Sequence, residues 1–241
     1  MEQVTDYKID HKLNIPVKAG SLVESIHYFD LDLKSNHIYL MNNENYLSGI
    51  GTPSEEPGVE FSVASNFIKN MNLCMRVNPQ KDIVIHMSIC GGFWEQGMAI
   101  YDLIKSCPTC VTVLNYTHAR SMSSIIFSAA NKAVMMPNSH FMFHEGSMEV
   151  SGTNKAAKSL LKFTRQWDDK MLEIYAYNLA RKGFFAGRTE KTIKNWLQST
   201  MDKQEDVWLN AKEAVRLGFA DEVFDYNWGN LTIYNNEQKE R

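Results

Sequence analysis

Three short apolar runs, Ile83-Val84-Ile85, Val111-Thr112-Val113-Leu114 and Val134-Met135-Met136, alternate with two segments of helical period. The first segment carries Met98, Tyr101, Leu103 and Ile104, and the second runs from Met122 to Ala130. Strand-like runs separated by helix-period segments predict an α/β fold. The pattern extends upstream, where Ile38-Tyr39-Leu40-Met41 reads as a strand and Val63, Phe67, Met71 and Cys74 mark one face of a helix. Downstream, Phe141-Met142-Phe143-His144 reads as a further strand. The period then changes. Ala157, Leu160, Leu161, Thr164, Trp167, Met171, Ile174 and Tyr175 follow i, i+3, i+4 spacing, so a long amphipathic helix is expected from about Asn154 to the Arg181-Lys182-Gly183 stop. Its apolar stripe packs either on its own domain or, if the helix projects, against another subunit. Asn210 with Glu213 predicts a capped short helix that Gly218 ends.

The chain has 241 residues, which suits one domain, because single cores stop growing only at about 250–300 residues. Residues 1–36 show no sustained period and are read as an N-terminal extension, flexible or processed. Residues 42–58, rich in Asn, Gly, Ser, Pro and Glu, read as a loop. Residues 37–226 form the expected domain, and 227–241 a polar C-terminal tail. A formal charge of −3 provides no global positive field to attract a phosphate backbone, so nucleic acid is not an expected partner. No apolar run approaches the roughly 18 residues of a spanning helix, and Met1–Lys8 lacks a targeting pattern, so a cytoplasmic protein away from membranes is expected. Four cysteines are too few for a disulfide scaffold. Cys107-Pro108-Thr109-Cys110 has redox spacing, but it follows a helix and precedes a strand, so a turn is the favoured reading.

Ser121 lies between a strand-like run and the helical Met122-Ser123-Ser124-Ile125-Ile126-Phe127, at a helix N-terminus that offers unpaired N–H groups. Taken alone it is a helix cap; a nucleophilic serine also needs a base, an acid and oxyanion donors. Gly91-Gly92 after a strand, with Gly97 beyond, are candidates for bare backbone near a substrate carbonyl. His144 ends a strand where an imidazole can leave the sheet. Asp206 is one acid among Asp202, Glu205 and Asp206, and periodicity does not single it out. The G-x-S-x-G elbow is absent, since Ala119-Arg120-Ser121-Met122-Ser123 stands there, and the order Ser, His, Asp differs from the chymotrypsin, subtilisin and α/β-hydrolase orders.

These blocks, in this order, resemble the proteolytic subunit of the Clp protease family. The resemblance rests on Ile83–His86 with Gly91-Gly92, on Gly97–Asp102, on Ala119–Met122, on Met136–Ser139 with Phe141–His144, and on Asp206–Ala214 with Leu217–Val223. It implies a crotonase-like stack of ββα units with a projecting handle helix. It also implies Ser121 as nucleophile, His144 as base, Asp206 as the acid that orients it, and the N–H groups of Gly92 and Met122 as the oxyanion hole. The expected function is serine endopeptidase action on unfolded proteins inside a homo-oligomeric chamber of heptameric rings stacked as a tetradecamer. An AAA+ unfoldase would supply substrate and consume ATP; this chain has no P-loop and needs no cofactor or metal. The chain departs from the family pattern at Ser88, Cys90, Thr117, Arg120 and Glu145-Gly146. Those departures leave two alternatives open, an inactive ring subunit beside an active paralogue or a phage capsid-maturation protease, and the shared scaffold with its paired N–H donors leaves a third, an acyl-CoA enzyme.

Overall fold

A computed structural model of the protein describes residues 7–10, 15–18, 22–41, 58–146 and 152–232. The readings that fall on residues 1–6, on most of 42–58 and on 233–241 lie outside these described residues. The chain order begins with a short antiparallel pair, β1 (Tyr7–Asp10) and β2 (Ile15–Lys18). Next come α1 (Leu22–Phe29), β3 (Leu31–Asp32), β4 (His37–Met41), α2 (Phe61–Val77), β5 (Ile83–Ser88), α3 (Trp94–Lys105) and β6 (Val111–Asn115). Then follow β7 (His118–Arg120), α4 (Met122–Phe127), β8 (Lys132–Met135), β9 (His140–Phe143) and α5 (Asn154–Leu179). The last elements are α6 (Glu190–Gln204), β10 (Val207–Asn210), α7 (Ala211–Leu217) and β11 (Glu222–Val223).

The main sheet has the order β11-β8-β6-β5-β4-β3, all pairs parallel except β3 with β4. Alternation along its inner strands divides them between two cores. Ile83, Ile85 and Met87, with Val111, Val113, Ala133 and Met135, enter the larger core, on which α2, α3 and α4 also pack. Val84, Leu114 and Val134 point the other way, where Phe224 and Leu231 cover them. The expected polar tail from residue 227 is therefore corrected at its start. Trp228–Leu231 form a 3-10 turn because the second sheet face must be covered, and Leu231 is buried. This mixed α/β architecture of parallel strands with intervening helices is the expected Clp-type fold.

A second sheet, β10-β9-β7, stands beside the first, with β7 parallel and β10 antiparallel to β9. Phe141 and Phe143 of β9 pack with Phe219 at centroid distances of 4.6 and 5.2 Å, and with Tyr175 of α5 at 6.1 and 6.0 Å. Such aromatic pairs contribute roughly 0.5–1.5 kcal/mol each beyond the area they bury, so the strand leading to His144 is firmly seated.

The long helix α5 begins behind a Thr153 cap, and its second half is integral to the core through Met171, Ile174, Tyr175, Ala176 and Leu179. Its first half carries exposed Leu160, Leu161 and Phe163, so the stripe packs on its own domain only along the second half. The predicted cap of α7 is a full capping box between Asn210 and Glu213, closed by Gly218 in the left-handed region. Cys107 and Cys110 lie in the turn between α3 and β6, and neither is in a disulfide. Aperiodic residues 1–36 nevertheless contribute α1 and β3, whose Leu31 joins the larger core.

Candidate active site

The register of the second sheet brings three strand ends to one edge. Arg120 of β7 pairs with Met142 of β9, and Ser121 continues the strand by donating its N–H to the Met142 carbonyl at 3.2 Å. Val207 of β10 faces Phe143 across the antiparallel pair, so the next residues outward, Asp206 and His144, face each other. His144 Nδ1 and Asp206 Oδ1 lie 3.0 Å apart. Of the neighbouring acids, Asp202 accepts a bond from Gln198 at 3.0 Å, and Glu205 occupies the sharp turn at φ 59° that ends α6 directly before Asp206. Of the three candidate acids, it is Asp206 that is paired with His144.

Ser121 has φ 53° and ψ −128°, a conformation that costs a non-glycine residue about 1–3 kcal/mol. It precedes α4 but makes no side-chain capping bond, so the simple cap reading fails for its hydroxyl. Its backbone is held instead. Its carbonyl accepts from the Ser124 N–H at 3.0 Å and from the Ser124 hydroxyl at 2.6 Å, and the Ser124 hydroxyl also meets the Tyr175 hydroxyl at 2.6 Å. Burial pushes the Tyr175 phenol far up, so it remains protonated and serves as a polar post beneath the turn.

Gly91 lies directly against the serine: a Cβ there would fall 2.5 Å from Ser121 Cβ, 2.7 Å from its Oγ and 3.2 Å from the Met122 nitrogen. Gly92, at φ 158°, bridges to Val59, whose backbone a Cβ would strike at 2.4 Å. The two bonds that hold this bridge use the Gly91 carbonyl and the Phe93 N–H, at 2.8 and 2.9 Å, and neither uses the Gly92 N–H. Met122 is the first residue of α4, where N–H groups have no intrahelical acceptor. Gly97 differs from its sequence reading as a backbone donor: its N–H is bonded to the Phe93 carbonyl at 3.0 Å, and its missing side chain makes room for Met122.

A cavity of about 330 Å³ opens beside these groups, with Ser121, His144, Gly92 and Met122 on its lining together with residues of α3 and α5. His144 Nε2 is buried and hydrogen bonds no protein group, Ser121 included. The open nitrogen is the one opposite Asp206. Arg120 is not among the described residues that line the cavity. Two of the residues that depart from the family pattern meet, the Ser88 and Thr117 hydroxyls being bonded at 3.2 Å between the end of β5 and the turn into β7. Cys90 Sγ contacts the Gly91 carbonyl at 3.7 Å. Among the described residues no group of three or more His, Cys, Asp or Glu side chains is placed to hold a metal ion, and no helix is long and apolar enough to cross a membrane.

Fold and family evidence together define the class of this protein as a serine-type protease. The family model described as Clp protease matches residues 56–227, and the chain belongs to the Clp protease family. It is 26% identical over 194 residues to an ATP-dependent Clp protease proteolytic subunit of Deinococcus radiodurans, covering 80% of this chain and 86% of that protein. It is 30% identical over 175 residues to the subunit of the same description from Streptococcus suis, covering 69% of this chain and 81% of that protein. The corresponding subunit of Streptococcus mutans is 30% identical over 177 residues, covering 70% and 82%.

Proposed function

We propose that the chain hydrolyses peptide bonds of unfolded polypeptides through an acyl-enzyme on Ser121. The observation that carries the reading is the shared edge of β7, β9 and β10, where Ser121 and His144 line one cavity and Asp206 pairs with the far side of His144. Asp206 holds the Nδ1–H tautomer of His144, which leaves Nε2 as the base. Once the two side chains come into hydrogen-bond reach, Nε2 takes the Ser121 proton as Oγ attacks the carbonyl; catalytic hydrogen bonds commonly tighten only when substrate binds. The Gly92 and Met122 N–H groups receive the oxyanion. His144 then protonates the leaving amine, and water, deprotonated by the same imidazole, releases the acyl product.

Assembly is part of the proposal. Exposed Leu160, Leu161 and Phe163 on the first half of α5 support pairing between subunits, and family membership supports its form, heptameric rings stacked as a tetradecamer. An AAA+ unfoldase delivers the polypeptide and consumes the ATP, and the chain itself uses no metal or cofactor. It acts in the cytoplasm, away from nucleic acid and membranes. The test is labelling of the assembled protein by a fluorescent fluorophosphonate beside Ser121→Ala. A single adduct mapped to Ser121 is expected. Equal labelling of the variant, or none of the assembled wild type, refutes the assignment and favours a noncatalytic ring subunit.

A further inference from the structure

The cavity beside Ser121 has walls and a charged end whose chemistry is uneven. Ile125 of α4 and Met171 of α5 are buried against it, and Trp94 and Trp167 stack at its side with ring centroids 5.7 Å apart and planes 11° from parallel. Tyr175 lines it too, with its hydroxyl already engaged by Ser124. Among these apolar surfaces stands one partly buried carboxylate, Asp168, on the same face of α5 as Thr164, Met171 and Tyr175. Its Oδ1 lies 4.0 Å from where a Cβ on Gly146 would be, two residues beyond His144.

Among the described residues Asp168 has no Lys, Arg or His as an ion-pair partner. Burial pushes its carboxyl above the ordinary range, the Gly146 N–H opposes this, and the charges of Glu145 and Asp169 push it further up. Exposed Glu95 lines the same cavity. A partly desolvated anion without a countercharge, set beside two indole faces that attract cations, is complementary to an aliphatic stem ending in a positive group.

We propose that this cavity takes the side chain of a lysine or arginine whose own carbonyl Ser121 attacks, with Asp168 as the specificity residue. The inference rests on the serine-peptidase reading above. It assigns the acyl-side residue because that residue's Cα is only about 1.5 Å from the attacked carbon, which makes its side chain the nearest to Ser121. The stem lies along Trp94, Trp167 and Met171, and the cation meets the Asp168 carboxylate.

Two peptidyl diphenyl phosphonates that differ only in a terminal lysine or norleucine test this, with second-order labelling rates at Ser121 read by intact-mass spectrometry on the assembled full-length protein. The lysyl probe should react roughly tenfold faster or more, the scale of one charge-assisted hydrogen bond, and Asp168→Asn should bring the ratio near one. A norleucyl probe as fast as the lysyl one in the wild type overturns the inference while leaving the nucleophile reading intact. That comparison needs no variant, so it decides even if Asp168→Asn fails to fold. A lysine preference that survives a folded Asp168→Asn overturns the role of Asp168. Silence of both probes and of a small generic fluorophosphonate overturns the peptidase reading, and this inference with it.

Discussion

Replacing Gly91 by alanine adds one methyl group at the point where the glycine pair meets Ser121. Gly91 does not occupy the left-handed region, so alanine fits its backbone and the perturbation is steric alone. The new Cβ would stand 2.5 Å from Ser121 Cβ and 2.7 Å from its Oγ, whereas carbon atoms in contact prefer about 3.5–4.0 Å. Roughly 1 Å must therefore be found by movement. The backbones resist it. The Gly91 carbonyl is held by Val59 at 2.8 Å, and Ser121 is held by Met142 at 3.2 Å and by both donors of Ser124. The serine side chain yields first and carries Oγ away from the carbonyl it must attack. A misplacement of about 1 Å costs on the order of 100-fold in rate. Overpacking should also lower stability by about 1–3 kcal/mol. The assay is kcat/KM on a fluorogenic peptide together with the fluorophosphonate labelling rate, with a melting curve to show that the variant is folded. Gly146→Ala is the matched control, since among the described residues its Cβ meets nothing closer than Asp168 Oδ1 at 4.0 Å, and it should change little. A folded Gly91→Ala protein that labels and turns over at the wild-type rate would refute the placement of Ser121 against the glycine pair.

Two further outcomes follow from the same geometry. Asp206→Asn removes the negative charge 3.0 Å from His144 Nδ1 and offers an amide donor that holds the imidazole in the wrong tautomer, so kcat should fall by at least about 100-fold with assembly intact by sedimentation. Asp202→Asn, which acts on a residue bonded to Gln198, should have a milder effect, and a reversal of that order would count against the pairing. The second concerns pH. His86 is buried with Nδ1 3.0 Å from the Tyr116 hydroxyl and Nε2 3.0 Å from His37 Nδ1, and burial lowers its pKa from 6.5 to about 4. Its folded pKa is depressed, so the unfolded chain binds more protons between these values, and stability falls as pH drops from about 6.5 toward 4, by about 3 kcal/mol in all. His37, also lowered chiefly by burial, adds in the same direction. Urea midpoints at pH 7 and pH 4.5 should show the loss, and His86→Phe should flatten it; an unchanged slope would place the effect elsewhere.

Local signals in the chain determined much of this protein. The apolar runs at Ile83, Val111 and Val134 became inner strands because continuous apolar runs suit a sheet covered on both faces. The long period from Ala157 to Tyr175 became α5, and Asn210, Glu213 and Gly218 became cap and stop, since these depend on neighbours within a turn or two. Other elements escaped that reading for identifiable reasons. The stripe of α6 is narrow, Ile193, Trp196, Leu197 and Met201 on a helix whose other positions are polar, and β7 has only three residues. Leu231 looked like part of a polar tail because the sheet face it covers is assembled from residues more than ninety positions earlier.

The site divides along the same line. Ser121, His144 and the glycine pair stood at recognisable junctions of strand and helix, so the sequence marked them as candidates. That Ser121 leaves its helix uncapped and that Asp168 of a distant helix enters the same cavity followed only from tertiary structure; that Asp206 rather than Asp202 or Glu205 meets His144 was implied by the family resemblance but by no local pattern, and the strand pairing is what brings the two together. The physical reason is register. Local periodicity sets which residues share a face of one element, whereas the pairing of β10 on β9 and of β9 on β7 is set by the burial of Phe141, Phe143, Tyr175 and Phe219, contacts made between residues far apart in the chain.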